Sequence, residues 1–445
     1  MRSTEQAGRF PAALLAGLVL GALLVAYGAD GHPLTGAPTA AGPAAPAPRN
    51  APEQGWVDRT LRRMTLEEKV GQLFVTVAYG EAADVPDRRN RTEYGLETPA
   101  ELVARYHLGG IVYFTWTSTL RSPLQVGTLS NGLQRAARAT GAGVPLLIST
   151  DQENGAVVRI GPPMTPLPTA GQLGAAGVVQ DAMTAAEISG RELRAMGINQ
   201  DLAPVADVNL DPSNPVLGSR TFSADPAVAA AMTGAEVTGY QRFVAATAKH
   251  FPGHGATATD SHVGLPVVDH DRDQWERLDA PPFRAAVAAG VDVIMLGHLV
   301  LPRIDPSGQP ATLSPALVDG LLRRDLGYQG VVMTDSLRMA AVRAVQPDER
   351  IPVLAIAAGA DLLLMPSDLD LAYRSVLAAV GSGELSQARI DASVRRLLEL
   401  KWRRGLVDDP LVDLDALTAV VGNQEHRRLV EQMAAHRLSG RGGGR

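Results

Sequence analysis

The sequence contains no cysteine. That excludes disulfides, thiolate metal sites, cysteine nucleophiles and a lipid-modified N-terminal cysteine together. Aromatic residues make up only 4%, which argues against an aromatic-rich carbohydrate-binding module. Excess positive charge is absent as well. The 41 Lys and Arg against 47 Asp and Glu give a net charge of −6, so a broad basic face for nucleic acid is not expected. Neither GxGxxG nor GxxxxGK with a following Ser or Thr comes after the first candidate strand. Nucleotide-binding readings therefore lose weight, and no cofactor is expected. What is present is apolar: 45% of the residues, enough to build a core and to exclude global disorder. The 445 residues suit about three domains, or a single α/β barrel with attachments.

The N-terminus reads as a segment outside the fold. Arg2 and Arg9 precede an uncharged, largely apolar run from Ala12 to Ala29. This is the pattern of a secretory signal over residues 1–30, with small residues near Ala26 and Gly28 for cleavage. The run is marginal as a membrane span. Residues 31–55 are rich in Pro and Ala and read as a linker. We expect an extracytoplasmic protein, secreted if the signal is cleaved and otherwise anchored to the membrane by it.

From Trp56 onward, short β-branched runs alternate with amphipathic stretches. The candidate strands are 72–77, 109–114, 144–150, 198–208, 244–251, 291–299, 330–336 and 360–366. Near-continuous apolar runs are what parallel strands covered on both faces require. Thr98-Pro99, Asp225-Pro226 and Ser314-Pro315 each supply a capping residue followed by proline at the first helical position, and Ser386 caps a further helix. The expectation is a single (β/α)8 barrel over 56–405, with an open doubly wound sheet as the alternative.

In such a barrel, chemistry sits at the C-terminal ends of the strands. Polar residues cluster there: Asp151, Asp207, Asn209, Lys249, His250, His298 and Asp335. The densest segment is 248–266, with Lys249, His250, His254, Asp260 and His262. Three histidines so close suggest zinc, but there is no HExxH, and the lysine argues against a cation site. Asp260 and His262 stand two apart on a polar loop. A carboxylate beside an imidazole orients it and tunes it as a proton donor; a solvated loop pair is the bland alternative. Asp335 ends an apolar strand, where a carboxylate serves as nucleophile, general base, ligand anchor or merely a helix cap. Asp151, Glu153, Arg159 and Arg220 add charges suited to a polyhydroxylated sugar, or to surface salt bridges.

Six ordered motifs carry a resemblance. They are DQE at 151–153, APVADVN at 203–209, GSRTF at 218–222, KHFPGHG at 249–255, DSH at 260–262 and TDS at 334–336. On these the chain resembles glycoside hydrolase family 3, in its β-N-acetylglucosaminidase branch, over roughly 56–405. The resemblance implies Asp335 as catalytic nucleophile and His262, paired with Asp260, as general acid/base. It implies Asp151, Arg159, Arg220, Lys249 and His250 as binding residues for the terminal sugar. Two departures stand out. Asn154, Gly155 and Ala156 replace the family's two glycines and arginine, which removes one basic contact. Arg338 intrudes in the run after the nucleophile and is expected to reshape the far side of the site. Residues 406–445 read as a tail, the remnant of a lead-in to a second domain, ending in a Gly/Arg-rich stretch. The implied activity is retaining hydrolysis of terminal β-linked N-acetylglucosamine in peptidoglycan fragments or chitooligosaccharides, by a monomer. Phosphorolysis, β-glucosidase specificity and a non-catalytic sugar-binding barrel are the alternatives.

Overall fold

Eight short runs of buried, mostly β-branched or aliphatic residues form the strands. They are β1 (Phe74–Thr76), β2 (Gly110–Val112), β3 (Leu147–Thr150), β4 (Gln200–Asp201), β5 (Ala245–Phe251), β6 (Val293–Leu296), β7 (Val331–Thr334) and β8 (Leu363–Leu364). The structure is a computed structural model, and it describes residues 51–440. The expected signal segment and most of the expected linker lie outside the described residues. Neighbouring strands pair in parallel, in the order β7-β6-β5-β4-β3-β2-β1-β8. A parallel bridge from Met333 to Leu362 and a bond from Thr334 N–H to the Leu362 carbonyl (2.9 Å) bring β7 onto β8. The result is the (β/α)8 barrel, and the open sheet falls away.

Each expected strand is present, but shorter than its apolar run. The largest difference is β4, expected over 198–208 and ending at Asp201. Pro204 has no N–H to give to a ladder, so beyond it only Val205 bridges to Lys249. The expected caps form. Thr98, Asp225, Ser314 and Ser386 each accept a backbone N–H of the first helical turn, at 3.1, 2.8, 3.1 and 3.1 Å.

Both ends of the expected barrel need correction. Residues 51–55, assigned to the linker, begin the helix Ala51–Arg63, which buries Val57 and Leu61 and sets Trp56 5.8 Å from Trp402. Residues 406–440, read as a remnant, fold onto the barrel wall. Glu192 accepts hydrogen bonds from Thr165 Oγ1 (2.6 Å), Gly422 N–H (3.0 Å) and His426 Nδ1 (2.6 Å). The helix Gln424–Gly440 places Met433 in a second apolar cluster with Leu173, Ile188, Phe222 and Met232. The apolar surface this removes from water is the reason the segment stays folded. No helix among the described residues is long and apolar enough to cross a membrane.

Lys401 is fully buried, and its Nζ donates to Gln72 Oε1 at 2.6 Å. Burial pushes its ammonium down to about 7. The unfolded chain holds that proton until about pH 10.4. Between these values the unfolded state binds more protons, so this residue's contribution to stability rises with pH from about 7 and is at its lowest, and flat, below that. Lys401→Met keeps the volume and removes the buried charge. It should stabilise the protein by about 3 kcal/mol at pH 6, with the gain fading towards pH 10. Calorimetric melting across that range tests this, and a pH-independent difference would refute it.

Candidate active site

The floor of the barrel mouth is built from charges that neutralise one another. Lys249, from β5, reaches the end of β3: its Nζ lies 2.8 Å from Asp151 Oδ1 and 2.6 Å from Glu153 Oε1. Arg220 grips Glu153 with two bonds, Nε to Oε2 at 2.7 Å and Nη2 to Oε1 at 2.8 Å. Burial alone would raise the Glu153 carboxyl, but Lys249 and Arg220 hold it at about 2. Burial would likewise strip Lys249 of its proton, yet Asp151 and Glu153 raise its pKa above the ordinary value. Glu153, Lys249 and Arg220 are therefore ionised at neutral pH. The cluster's geometry is rigid, because each long side chain is fixed at its charged end.

A second pair stands beside it. His250 Nδ1–H donates to Asp207 Oδ2 at 2.7 Å, and His254 N–H donates to Asp207 Oδ1 at 2.7 Å. Burial works to raise Asp207, and the facing His250 outweighs it, leaving the carboxyl below its usual value. Asn214, which caps the same corner, donates to the His254 and Thr257 carbonyls at 2.9 and 2.8 Å.

Asp335 follows β7 directly and is half-buried. Its N–H donates to Leu296 O at 3.0 Å, which keeps it in line with β6. Its Oδ1 accepts the Ser336 N–H at 2.7 Å, and it caps no helix, since the next helix, Ala340–Arg343, begins five residues later with Met339 at its N-cap. Oδ2 has no protein partner among the described residues. Burial acts to raise this carboxyl, but His250 and the Ser336 N–H hold it low and ionised. His298 supports it from beneath. Its Nε2–H donates to the Ser336 carbonyl at 2.9 Å, and Nδ1 accepts from Thr312 Oγ1 at 2.7 Å. Burial depresses the His298 imidazole, so it is neutral and serves as a fixed strut.

Asp260 and His262 sit on the loop after β5, and His262 is exposed. Asp260 Oδ1 accepts both the His262 backbone N–H (2.8 Å) and its Nδ1–H (2.7 Å). That leaves Nε2 as the outward nitrogen. The loop is anchored where it matters. At its root, a Cβ on Gly255 would lie 1.6 Å from the Val208 carbonyl, so only glycine fits. At its middle, Ser261 Oγ meets His254 Nε2 at 3.1 Å, and the Ser261 carbonyl accepts Ala341 N–H at 3.3 Å. Ala341 belongs to the segment that follows Asp335. The pair is thereby tied to the same rim as the carboxylate. His250, His254 and His262 go to three different partners, and among the described residues no group of His, Asp and Glu is arranged to hold a metal ion.

Arg159 lies at the edge. Its Nη2 is 3.4 Å from Asp151 Oδ2, and its guanidinium carbon lies 5.2 Å from the centre of the Phe114 ring. Its Nε is buried without a partner among the described residues, a donor left for a ligand. The two departures resolve differently. Asn154 and Gly155 both have positive φ, 66° and 73°, a conformation asparagine tolerates better than most residues. Asn154 Nδ2 donates to Tyr240 Oη at 3.2 Å. Arg338 turns away from the floor to pair with Glu93 and donates to the Pro366 carbonyl.

The structure thus gathers Asp151, Arg159, Arg220, Lys249 and His250 around one floor, with Asp335 and the Asp260–His262 pair on its rim. Glu153, read in the sequence as one of the charges suited to a sugar, and Asp207, read there only as one of the polar strand-end residues, are the counter-charges that hold it. Glu153 had a readable signal: on an extended segment, residues two apart point the same way, so it shares a side with Asp151. The arrangement supplies an ionised carboxylate, an imidazole backed by a carboxylate, and a ring of charge-assisted donors and acceptors. This is chemistry suited to a polyhydroxylated substrate.

Residues 65–400 match the sequence model described as the glycosyl hydrolase family 3 N terminal domain. The chain is 35% identical over 360 residues to beta-hexosaminidase A of Pseudoalteromonas piscicida, covering 75% of this chain and 59% of that protein. It therefore spans about three fifths of that relative's length. It is 32% identical over 412 residues to beta-hexosaminidase LpqI of Mycobacterium tuberculosis, covering 88% of this chain and 97% of that one. Among solved structures, a glycoside hydrolase family 3 beta-N-acetylglucosaminidase from Paenibacillus sp. str. FPU-7 superposes with a TM-score of 0.77 at 42% identity, over 84% of this chain and 69% of the other.

Proposed function

The chain belongs to glycoside hydrolase family 3, and from that premise we propose that it is a retaining hydrolase that removes terminal β-linked N-acetylglucosamine from peptidoglycan fragments or chitooligosaccharides. The observation that carries the reading is the Asp260–His262 pair on a loop hydrogen-bonded, through Ser261, to the segment after the ionised Asp335. Asp335 Oδ2 attacks the anomeric carbon as the bond to the leaving oxygen breaks. That oxygen takes a proton from His262 Nε2, and Asp260 stabilises the imidazolium. In the second step His262 takes a proton from water, whose oxygen attacks the anomeric carbon and releases Asp335. Lys249, Arg220, Arg159, Asp151 and His250 hold the sugar hydroxyls. The N-terminal signal pattern supports action outside the cytoplasm.

The test is a screen of aryl β-N-acetylglucosaminide, β-glucoside and β-xyloside, with phosphate varied. We expect the first substrate alone to turn over well, at a rate indifferent to phosphate. A sugar 1-phosphate product would replace hydrolysis with phosphorolysis. His262→Ala gives a second readout. It should cost roughly 10²–10⁴-fold on substrates with poor leaving groups and far less on activated aryl glycosides. Equal losses on both would remove the acid role.

A further inference from the structure

Three rings stand on the rim beside β1 and β2, away from the Asp260–His262 loop. Trp116 stacks on Phe114, with centroids 5.4 Å apart and planes 21° apart, and meets Tyr79 at 5.9 Å. Its indole is nonetheless 49% exposed. The other tryptophans are spoken for: Trp275 is fully buried, and Trp56 and Trp402 face each other.

The loop that carries the exposed indole is held at several points. Arg89 Nη1 donates to the Trp116 carbonyl at 3.0 Å, and Arg89 Nη2 to Ser118 Oγ at 3.0 Å. Thr117 Oγ1 donates to the Phe114 carbonyl at 2.6 Å. Arg89 itself is fixed by Asp87 at 2.7 Å and lies 4.8 Å from the Tyr79 ring centre. A chance surface aromatic has no need of such support; a pre-organised contact does. The platform is also wired to the site from both sides. Arg159 bridges the Phe114 ring and Asp151. Tyr79 Oη donates to Glu93 Oε2 at 2.5 Å, and Glu93 pairs with Arg338, just beyond Asp335.

We propose that Trp116, backed by Phe114, is the platform for the pyranose ring of the leaving group, the second sugar from the non-reducing end. The charged floor is buried and suits a terminal sugar bound through its hydroxyls. The indole is exposed on the segment after β2 and is joined to that floor through Phe114 and Arg159, which makes it a candidate surface for the next ring. A pyranose carries an apolar face of C–H groups, and a rigid flat ring is its natural complement. The indole N–H has no acceptor among the described residues and is available to a sugar hydroxyl. This inference rests on the glycosidase reading above.

The experiment compares an N-acetylglucosamine disaccharide with methyl β-N-acetylglucosaminide, which lacks the second ring. In Trp116→Ala the ratio of kcat/KM for disaccharide over methyl glycoside should fall about tenfold, chiefly through KM, and Trp116→Phe should restore most of it. An unaltered ratio overturns the proposal. Binding is read independently by tryptophan fluorescence in an Asp335→Asn background. Disaccharide should change the emission, and adding Trp116→Phe should abolish that change; an identical change in both overturns the proposal. If the wild-type protein cleaves neither substrate, the glycosidase reading fails by itself, and the fluorescence comparison still decides whether Trp116 holds a sugar.

Discussion

Asp335→Gly lowers turnover of an aryl β-N-acetylglucosaminide by roughly 10⁴-fold or more, with little change in melting temperature. The two halves of this expectation have separate causes. The carboxylate is half-buried at the rim and makes one protein hydrogen bond through its side chain, to Ser336 N–H. Losing that bond costs about 1 kcal/mol, a shift of a few degrees at most. The strand beneath is held by its own bonds to β6, and His298 still supports the Ser336 carbonyl. Catalysis, in contrast, loses the only group proposed to bond with the anomeric carbon. Azide supplies a further check: entering the vacated space, it should attack the same face and release an α-glycosyl azide. Wild-type turnover in the variant would dismiss Asp335 as nucleophile.

Lys249→Met is expected to be the most damaging single change for stability. Its ammonium lies between Asp151 and Glu153, and all three are buried or nearly so. Removing it leaves Asp151 with a long contact to Arg159 and puts the whole of Glu153 on Arg220. Breaking a buried charged cluster in this way costs about 3–5 kcal/mol, and sugar binding goes with it. The pH dependence identifies the cause. In the wild-type protein Glu153 has a folded pKa of about 2, below its unfolded value near 4.3. Its contribution is complete above the unfolded value and is lost as pH falls towards the folded one. Without Lys249 the folded pKa rises, so that contribution shrinks. The stability gap should therefore be wide at pH 7 and narrow near pH 2, closing between about pH 4 and pH 2. Denaturant titrations at both values measure it. A gap equal at both would point to packing rather than charge.

The legible part of the fold was what local chemistry dictates. Strands buried on both faces must be apolar throughout, so runs such as those around Ile148 and Val332 announced themselves. Capping residues did the same. The strand ends were harder, because Pro204 acts on a hydrogen-bond ladder that exists only once β5 lies alongside. In the site, Lys249, Asp151 and Asp335 could be read from their place at strand ends, and Glu153 could be placed beside Asp151 by its spacing, whereas the ion-pair partners of Glu153 and Asp207 could not be read. Each neutralises a residue on another strand, and pairing across a barrel leaves no mark on spacing. The C-terminal segment was misread for the same reason. His426 gave no sign that its partner, Glu192, stands 234 residues earlier. Arg338 looked like an intruder until Glu93 appeared opposite it.

The closing seam of the barrel bears on how the chain reaches this state. β1 is among the first segments made, yet one of its neighbours is β8, through Leu363 N–H to the Leu73 carbonyl. Until the last fifth of the sequence is available, β1 keeps an open edge of backbone donors and acceptors. β7 keeps the other, and Asp361 cannot yet receive Val332 N–H, Arg323 and Ser393 at the foot of the seam. Open edges are where half-made sheets recruit one another. Slow synthesis or crowding of nascent chains should therefore harm yield more than point changes on the outer helices. A circular permutant beginning at β7 would place β7 and β8 side by side from the outset.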